Sequence, residues 1–181
     1  MDKRKEANLR VKINITRTLF TLMQKKSLSE ITITELVEGA GVARASFYRN
    51  YCSKEDVLVT LIRDVLDDFH RRIPPGQESF YTYENILLTF RYFHTYRTYF
   101  LDLYRSGFLS VFLEELNRFH ESIEGTMPSS SIEKYQLYMY IGALSNTVIE
   151  WLLERDPTSP EEMAQFFYPL IRRMLGKDPA P

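Results

Sequence analysis

Cysteine is nearly missing from this chain, and long apolar runs are missing altogether. Cys52 is the only cysteine among 181 residues, so an intramolecular disulfide and a CxxC metal or redox pair are both excluded. No apolar run approaches the ~18 residues of a membrane-spanning helix, and the N-terminal residues lack the apolar stretch of a signal peptide. We therefore expect a cytoplasmic protein with no membrane partner.

The patterns typical of enzyme active sites are also missing. The sequence contains no glycine-rich phosphate-binding loop, no GxSxG nucleophile motif and no paired metal ligands. Its three histidines, His70, His94 and His120, lie too far apart along the chain to match a local metal-binding motif. We therefore expect no catalytic activity, no metal and no cofactor.

Charge is distributed unevenly along a chain whose formal net charge is only −1. Residues 1–54 contain 11 basic and 5 acidic residues, an excess of six positive charges, so the remainder carries an excess of seven negative charges. A basic N-terminal third is typical of a phosphate-binding module joined to a part that avoids nucleic acid. The alternative from charge alone is an ordinary solvated face.

A regular apolar spacing predicts two long helices in the first 72 residues. The first covers about 5–26. Its predicted buried stripe consists of Leu9, Ile13, Thr16, Phe20 and Met23. The second long helix runs from a capping box at 53–56 to about residue 72 and carries acidic residues in its first turn.

Two short helices lie between these long ones. A capping box formed by Thr32 and Glu35 starts the first near residue 33, and Gly39 and Gly41 supply a tight corner after it. The next helix covers about 43–50. Two short helices joined by a glycine corner and packed on a longer helix are typical of a helix-turn-helix, which we place at about 32–51.

The second of the short helices is the one that would read DNA. At about 100° per residue, four of its residues share a stripe of roughly 140°, and Phe47 points away from them. The stripe consists of Arg44, Ala45, Tyr48 and Arg49. The predicted small core behind it consists of Phe47, Val42, Ile33, Leu36 and Val37.

Pro74, Pro75 and Gly76 form the clearest break in the helical pattern. We expect a DNA-binding domain at 1–72 and a second domain at 77–181. The spacing in the second domain predicts helices at about 81–94, 98–104, 108–124, 132–155 and 161–175, with loops at 126–131 and 156–159. No alternating strand pattern occurs, so the expected fold class is all-α.

The segment ITITELVEGAGVARASFYRNYCSKEDVL resembles the DNA-binding segment of TetR/AcrR-type transcriptional regulators, with its Gly-Val corner, Phe-Tyr pair and Ser-Lys-Glu-Asp helix start. The resemblance extends over about 9–72. It implies that Arg44 and Ser46 face base edges. It also implies that Tyr48 and Lys54 bind phosphates, with Arg49 as a further backbone contact. The full predicted DNA-binding set is Thr32, Arg44, Ala45, Ser46, Tyr48, Arg49 and Lys54.

These assignments have plainer alternatives. Ala43 stands where the family more often has a Ser or Thr that caps the reading helix and touches a phosphate. Tyr48 could instead be a half-buried core residue, and Lys54 an ordinary exposed lysine. The basic residues at 3–5 could follow a neighbouring groove or form a frayed, solvated tail.

Aromatic residues are unusually dense between positions 81 and 120. Their helical spacing fits a hydrophobic core, and it also fits an apolar cavity in which tyrosine hydroxyls orient a small effector. The resemblance implies such a cavity. The predicted effector pocket consists of Phe90, Phe93, Tyr96, Tyr99, Tyr104, Phe108 and Phe112. The acidic balance of this part favours a neutral or cationic effector of aromatic or acyl type over an anionic one.

The helix from Ile132 carries two apolar stripes, so two of its sides must be covered. One contains Leu137, Ile141, Leu144, Val148 and Trp151, and the other contains Tyr135, Met139, Gly142, Ile149 and Leu153. One stripe can pack inside its own domain while the other meets a second copy, and the resemblance implies a dimer interface of four helices. The predicted interface consists of Leu144, Val148, Trp151, Phe167, Leu170 and Met174. A core helix in a monomer is the alternative.

These patterns together predict a DNA-binding transcriptional regulator. We expect a homodimeric repressor that binds a pseudo-palindromic double-stranded operator and is released by an effector. The alternative is a regulator of the same fold whose C-terminal domain binds a protein partner, for example as a co-activator. The sequence leaves open the operator, the effector and the direction of regulation.

Overall fold

Helices provide the regular structure in the computed structural model, which describes residues 3–75, 81–124 and 131–174. They are α1 (Lys3–Met23), α2 (Ile33–Ala40), α3 (Arg44–Asn50), α4 (Lys54–His70), α5 (Tyr83–Thr95), α6 (Arg97–Arg105), α7 (Leu109–Glu124), α8 (Ile132–Leu153) and α9 (Pro160–Met174), with a 3₁₀ turn at Leu28–Glu30. No strand occurs in the described ranges, and the predicted all-α class is confirmed. None of these helices is long and apolar enough to span a membrane.

Two of the sequence-based predictions fall partly on residues outside the described ranges. The predicted loop at 126–131 lies there except for Ser131, whose hydroxyl caps α8 by accepting a hydrogen bond from the Lys134 amide. The predicted end of the last helix at 175 lies there as well.

The chain divides into two units, Met1–Val65 and Leu66–Pro181, and the division falls inside α4. It lies earlier than the expected boundary at 72–77. The last turn of α4 groups with the second unit because the Tyr92 hydroxyl donates a 3.2 Å hydrogen bond to the Asp68 carboxylate. Phe69 also packs edge-on against the Tyr92 ring, at 5.3 Å between ring centroids. A single helix therefore begins in one unit and ends in the other.

The buried face of α1 differs from the predicted stripe. Leu9 and Ile13 are 52% and 45% exposed, whereas Ile15 and Leu19 are fully buried. The buried face is the one that packs against α2. Two overlapping stripes on α1 satisfy the same helical period, and packing against the neighbouring helix selects between them.

The start and end of α2 follow the predicted chemistry. The Thr32 hydroxyl accepts a hydrogen bond from the Glu35 amide at 3.2 Å, and Glu35 Oε2 accepts one from the Thr32 amide at 2.9 Å. This pair is the predicted capping box. Gly41 then ends α2 with a φ of +64°, a left-handed conformation that glycine adopts without steric cost.

A small core holds α3 in place. Phe47 and Leu36 are completely buried and Val37 is nearly so, as predicted. Ile33 and Val42 are only partly buried, at the rim of this core. Because Phe47 is buried on one side of α3, the opposite side faces solvent.

In the second unit, α5 is the helix that both α8 and α9 contact. The Phe90 ring on α5 is fully buried and makes edge-to-face contacts with Trp151 of α8 and Phe167 of α9, at 5.4 and 5.8 Å. Both α6 and α7 also pack against α8. The inner faces of the two last helices are therefore used within the chain itself.

Gly39 lies where α2 closely approaches α1. A β-carbon at this position would stand 2.8 Å from Thr18 Cγ2, well inside van der Waals contact. We expect Gly39→Ala to destabilise the chain by about 1–3 kcal/mol through overpacking. In a Thr18→Ala background the clash is gone, and the same change should stabilise the helix by about 0.5–1 kcal/mol. Denaturant unfolding of wild type, the two single variants and the double variant measures both effects. Stabilisation in both backgrounds would contradict the close approach.

Candidate functional site

The solvent-facing side of α3, formed by Arg44, Ala45, Tyr48 and Arg49, is called the reading face below. All four residues are exposed, Tyr48 to 49%. Tyr48 is half-exposed, and its ring packs edge-on against buried Phe47 at 5.3 Å, so both the phosphate contact and the half-buried alternative stay predictions. The helix thus has one packed side and one free side, as predicted.

Arg44 is held in place by two neighbours. Its Nη1 donates to the Thr34 hydroxyl at 3.1 Å and its Nη2 donates to the Tyr48 hydroxyl at 3.2 Å. The guanidinium carbon also lies 5.5 Å from the centre of the Tyr48 ring, within the range of a cation–π interaction. These two bonds use two of the five N–H donors of the guanidinium, so Arg44 is oriented and keeps donors for another partner.

Lys54, at the start of α4, has a role that the sequence did not indicate. Its ammonium donates to the backbone carbonyls of Ser29 and Ile31, at 2.9 and 2.7 Å. The alternative of an ordinary exposed lysine is therefore wrong. Lys54 fastens the start of α4 to the segment before α2, and one of its three N–H donors is left for a phosphate.

The N-terminus of α2 carries a compact charge pair beside Thr32. The Lys26 ammonium lies 2.6 Å from the Glu35 carboxylate, and this hydrogen bond, with those from Thr32, lowers the pKa of Glu35 to about 2. Glu35 is therefore ionised throughout the physiological range. Because Lys26 offsets its charge, the exposed Thr32 hydroxyl does not present a net negative surface to a phosphate.

Two polar residues that support the reading face were not among the predicted site residues. Thr34 is exposed and accepts the Arg44 hydrogen bond described above. Asn50 Nδ2 donates to Asn8 Oδ1 at 3.0 Å and to the Ser46 carbonyl at 2.8 Å, which joins the end of α3 to α1. Ser46 itself is only partly exposed. No short-range sequence signal marks the Asn50 contact, because its partner lies 42 positions away.

At the start of α3, Ala43 makes no side-chain cap, and only its backbone carbonyl accepts hydrogen bonds from the amides of Ser46 and Phe47. The capping contact that a Ser or Thr would provide is therefore missing in this chain. The remaining α3 geometry does not depend on that contact.

Only part of the predicted effector pocket lies together in one cavity of the structure. An aromatic cavity does exist in the second unit, lined by Phe93, Phe100, Leu103, Tyr104, Leu109, Phe112, Ser145, Val148, Ile149 and Leu152. Of the seven predicted residues, only Phe93, Tyr104 and Phe112 line it. Phe90, Tyr96, Tyr99 and Phe108 do not.

The four residues that miss the cavity have other surroundings. Phe90 is buried between α8 and α9, and Tyr99 is 52% exposed. The Tyr96 ring packs against Tyr92 at 4.6 Å, and its hydroxyl accepts a hydrogen bond from Arg72. Phe108 lies partly buried in the turn between α6 and α7. Dense aromatic composition could not separate these environments, because all of them suit an aromatic ring.

Most of the predicted dimer interface is buried inside the single chain. Leu144, Val148, Trp151 and Phe167 are each at most 4% exposed in the single chain, so they cannot form a surface. Leu170 is exposed and Met174 is partly exposed. The exposed large apolar residues of α8 and α9 are instead Ile132, Tyr135, Met139, Leu153, Phe166 and Leu170, called the outer face below. The two stripes on α8 are equally apolar, and the packing of α5 to α7 decides which is buried.

The N-terminal unit is similar to known regulators. Residues 15–61 match the family model described as bacterial regulatory proteins, tetR family. A segment of 53 residues is 38% identical to the HTH-type transcriptional regulator EthR of Mycobacterium tuberculosis and covers 29% of this chain and 24% of that protein. A segment of 48 residues is 42% identical to EthR of Mycolicibacterium smegmatis and covers 26% of this chain and 22% of that protein. The match thus spans about a quarter of these relatives.

The fold is similar to solved structures over nearly the whole chain. A TetR transcriptional regulator from Streptococcus agalactiae superposes with a TM-score of 0.63 at 21% identity, covering 93% of this chain and 97% of that one. The dihydroxyacetone kinase operon activator DhaS superposes with a TM-score of 0.51 at 18% identity, covering 92% and 96%. At these identities the similarity concerns the fold alone. Residues 15–61 are thus similar to the tetR family of bacterial regulatory proteins, and the fold of the chain is similar to that of a TetR transcriptional regulator.

Proposed function

We propose that this chain is a transcriptional regulator that binds double-stranded DNA in the cytoplasm as a homodimer. The observation that supports this most directly is the reading face, an exposed surface with two arginines on a helix fixed by the buried Phe47. The excess of six positive charges in residues 1–54 favours phosphate binding in the same unit.

The contacts divide into base recognition and phosphate binding. Arg44 can form two hydrogen bonds with the major-groove edge of guanine, and Ala45 and Ser46 face the same groove. Tyr48, Arg49, Lys54 and Thr32 are assigned to backbone phosphates. The hydrogen bond between Arg44 and the Tyr48 hydroxyl favours this division of roles. If Tyr48 binds a backbone phosphate, the neighbouring Arg44 guanidinium would be directed into the groove.

One reading helix contacts too few base pairs to specify an operator, so two copies are needed. The outer face offers apolar residues for a second copy. Gly142 lies on the same side of α8 as Tyr135, Met139 and Leu153, and within the described ranges a β-carbon there would meet no atom of another segment within 4 Å. A glycine inside a helix costs about 0.5–1 kcal/mol relative to alanine. If a helix of the second copy approaches α8 closely here, the absence of a side chain at Gly142 would let the two helices pack together.

An effector would act through α4. The helix follows α3 directly, and its last turn is held on α5 by Asp68, which accepts hydrogen bonds from Tyr92 and from Arg72 Nε at 3.0 Å. Tilting α4 would change the distance between the two reading helices of a dimer. A tenfold loss of operator affinity requires ~1.4 kcal/mol of coupling, and the operator must weaken effector binding equally. Release of a repressor is the proposed direction.

The second candidate is a regulator whose C-terminal unit binds a protein partner. The small size of the aromatic cavity favours it, since the space present holds about one water molecule. A thermal-shift screen of small apolar compounds, followed by operator titration with each hit, separates the candidates. If no compound changes operator affinity and a purified protein partner does, the second candidate is correct.

Substitutions of Arg44 and Lys54 should lower DNA affinity in different ways, one depending on base sequence and the other on salt concentration. Arg44→Ala should weaken binding to the preferred operator by about 1–3 kcal/mol and relax its base preference. Lys54→Ala should weaken all duplexes similarly and lower the salt slope by about one per site. Gel-shift titrations over a range of salt concentrations measure both.

Lys25→Ala is the matched control, because Lys25 is exposed and lies outside the predicted contact set. Thermal unfolding must accompany Lys54→Ala, since its two carbonyl bonds also support the fold. Unchanged affinity and base preference in Arg44→Ala would show that the reading face is wrongly assigned.

The dimer proposal is tested by Gly142→Arg, which places a long charged side chain at a position with no neighbouring segment within 4 Å in the part of the chain that the structure describes. We expect a folded monomer with operator affinity lowered at least tenfold, measured by sedimentation and gel shift. Thr98→Arg, at an exposed position on α6, is the control and should remain dimeric. A dimer that persists in Gly142→Arg, or a wild type that is monomeric at micromolar concentration with and without DNA, would refute the outer-face interface.

A further inference from the structure

Three phenylalanine rings form one wall of the cavity in the second unit. Phe93 and Phe100 lie 4.3 Å apart between ring centroids, Phe100 and Phe112 5.7 Å apart, and Phe93 and Phe112 6.4 Å apart. The two wider pairs meet edge to face. Helix α8 contributes Val148, Ile149 and Leu152 to the lining, together with one polar side chain, Ser145.

Ser145 is buried without a hydrogen bond. It is 4% exposed, and among the described residues its hydroxyl has no hydrogen-bond partner. Buried hydroxyls are normally satisfied, and a serine inside a helix commonly bonds to a carbonyl one turn earlier. Thr89 and Thr95 in α5 do so, each at 2.8 Å. Ser145 is thus an unsatisfied hydroxyl at the wall of an aromatic cavity.

We propose that this cavity binds a compact neutral molecule, mainly apolar, that carries one hydroxyl or carbonyl group and hydrogen-bonds to Ser145. This ligand site extends the effector release proposed above. Its role in regulation rests on that proposed function. None of the ten lining side chains is charged, so a charged ligand would lose its hydration without gaining a partner. This class of ligand is therefore narrower than the neutral or cationic effector expected from composition, because it excludes cations.

The entrance limits the size of the ligand. Phe93, Phe100, Tyr104 and Leu109 are partly exposed, whereas Phe112 and Ser145 are buried deeper. The space present holds about one water molecule, so a ligand must displace side chains at the entrance. Single-ring compounds require the smallest displacement, and phenol supplies both the ring and the hydroxyl.

The test compares phenol with toluene, which has nearly the same shape and no hydroxyl. Calorimetric titration of the full chain gives the ratio of the two dissociation constants in wild type, Ser145→Ala and Ser110→Ala. We expect Ser145→Ala to reduce the preference for phenol by roughly threefold to tenfold, the effect of one hydrogen bond. Ser110, which is exposed and does not line the cavity, is the matched control and should leave the ratio unchanged.

A second measurement does not depend on any ligand. Removing an unsatisfied buried hydroxyl should raise the melting temperature of the free chain, so Ser145→Ala, which leaves only a methyl side chain, should melt above wild type. The proposal is overturned if neither compound binds, if Ser145→Ala keeps the wild-type ratio, or if this variant melts below wild type. Each result concerns the cavity alone.

Operator titration with and without phenol then separates the site from the regulation. If phenol lowers the operator affinity of wild type but not of Ser145→Ala, both the ligand site and effector release through it are supported. Ligand binding that depends on Ser145 but leaves operator affinity unchanged supports the site and refutes effector release through it.

Discussion

Burial of Phe47 is the interaction on which the candidate site depends. Its ring is fully enclosed and contacts the rings of Tyr48 and Tyr51 at 5.3 and 5.7 Å. Removing so large an apolar surface from water fixes the rotation of α3 about its axis. The left-handed turn at Gly41 sets the direction in which α3 leaves α2. Arg44 and Tyr48 are exposed as a consequence of these two constraints.

Polar contacts then connect this small core to the rest of the chain. Lys54 binds the carbonyls of Ser29 and Ile31 at the start of α4, and Asp68 binds Tyr92 near its end. The first contact joins α4 to the segment before α2, and the second joins it to α5. A single helix with an anchor at each end can transmit a displacement, which is why the proposed regulation is assigned to α4.

Local chemistry made the N-terminal unit predictable. The capping box at Thr32, the corner at Gly41 and the burial of Phe47 all follow from residues a few positions apart, and the structure has each of them. Packing between distant segments was not predictable in the same way. Which stripe of α8 is buried, and whether Lys54 binds carbonyls, depend on neighbours remote in sequence, so Leu144 was assigned to the wrong surface. The unsatisfied hydroxyl of Ser145 likewise has no sequence signature.

Selection of bound sequences from a random duplex pool, with the full chain, tests directly whether α3 reads DNA in a two-fold symmetric dimer. We expect enrichment of an inverted repeat whose half-site centres lie one helical turn, ~34 Å, or somewhat more apart. Arg44→Ala should lose the preference at one base pair in each half-site while the spacing is kept. A pool that shows no enrichment, or that enriches a single half-site without a symmetric partner, would contradict the proposed symmetric recognition.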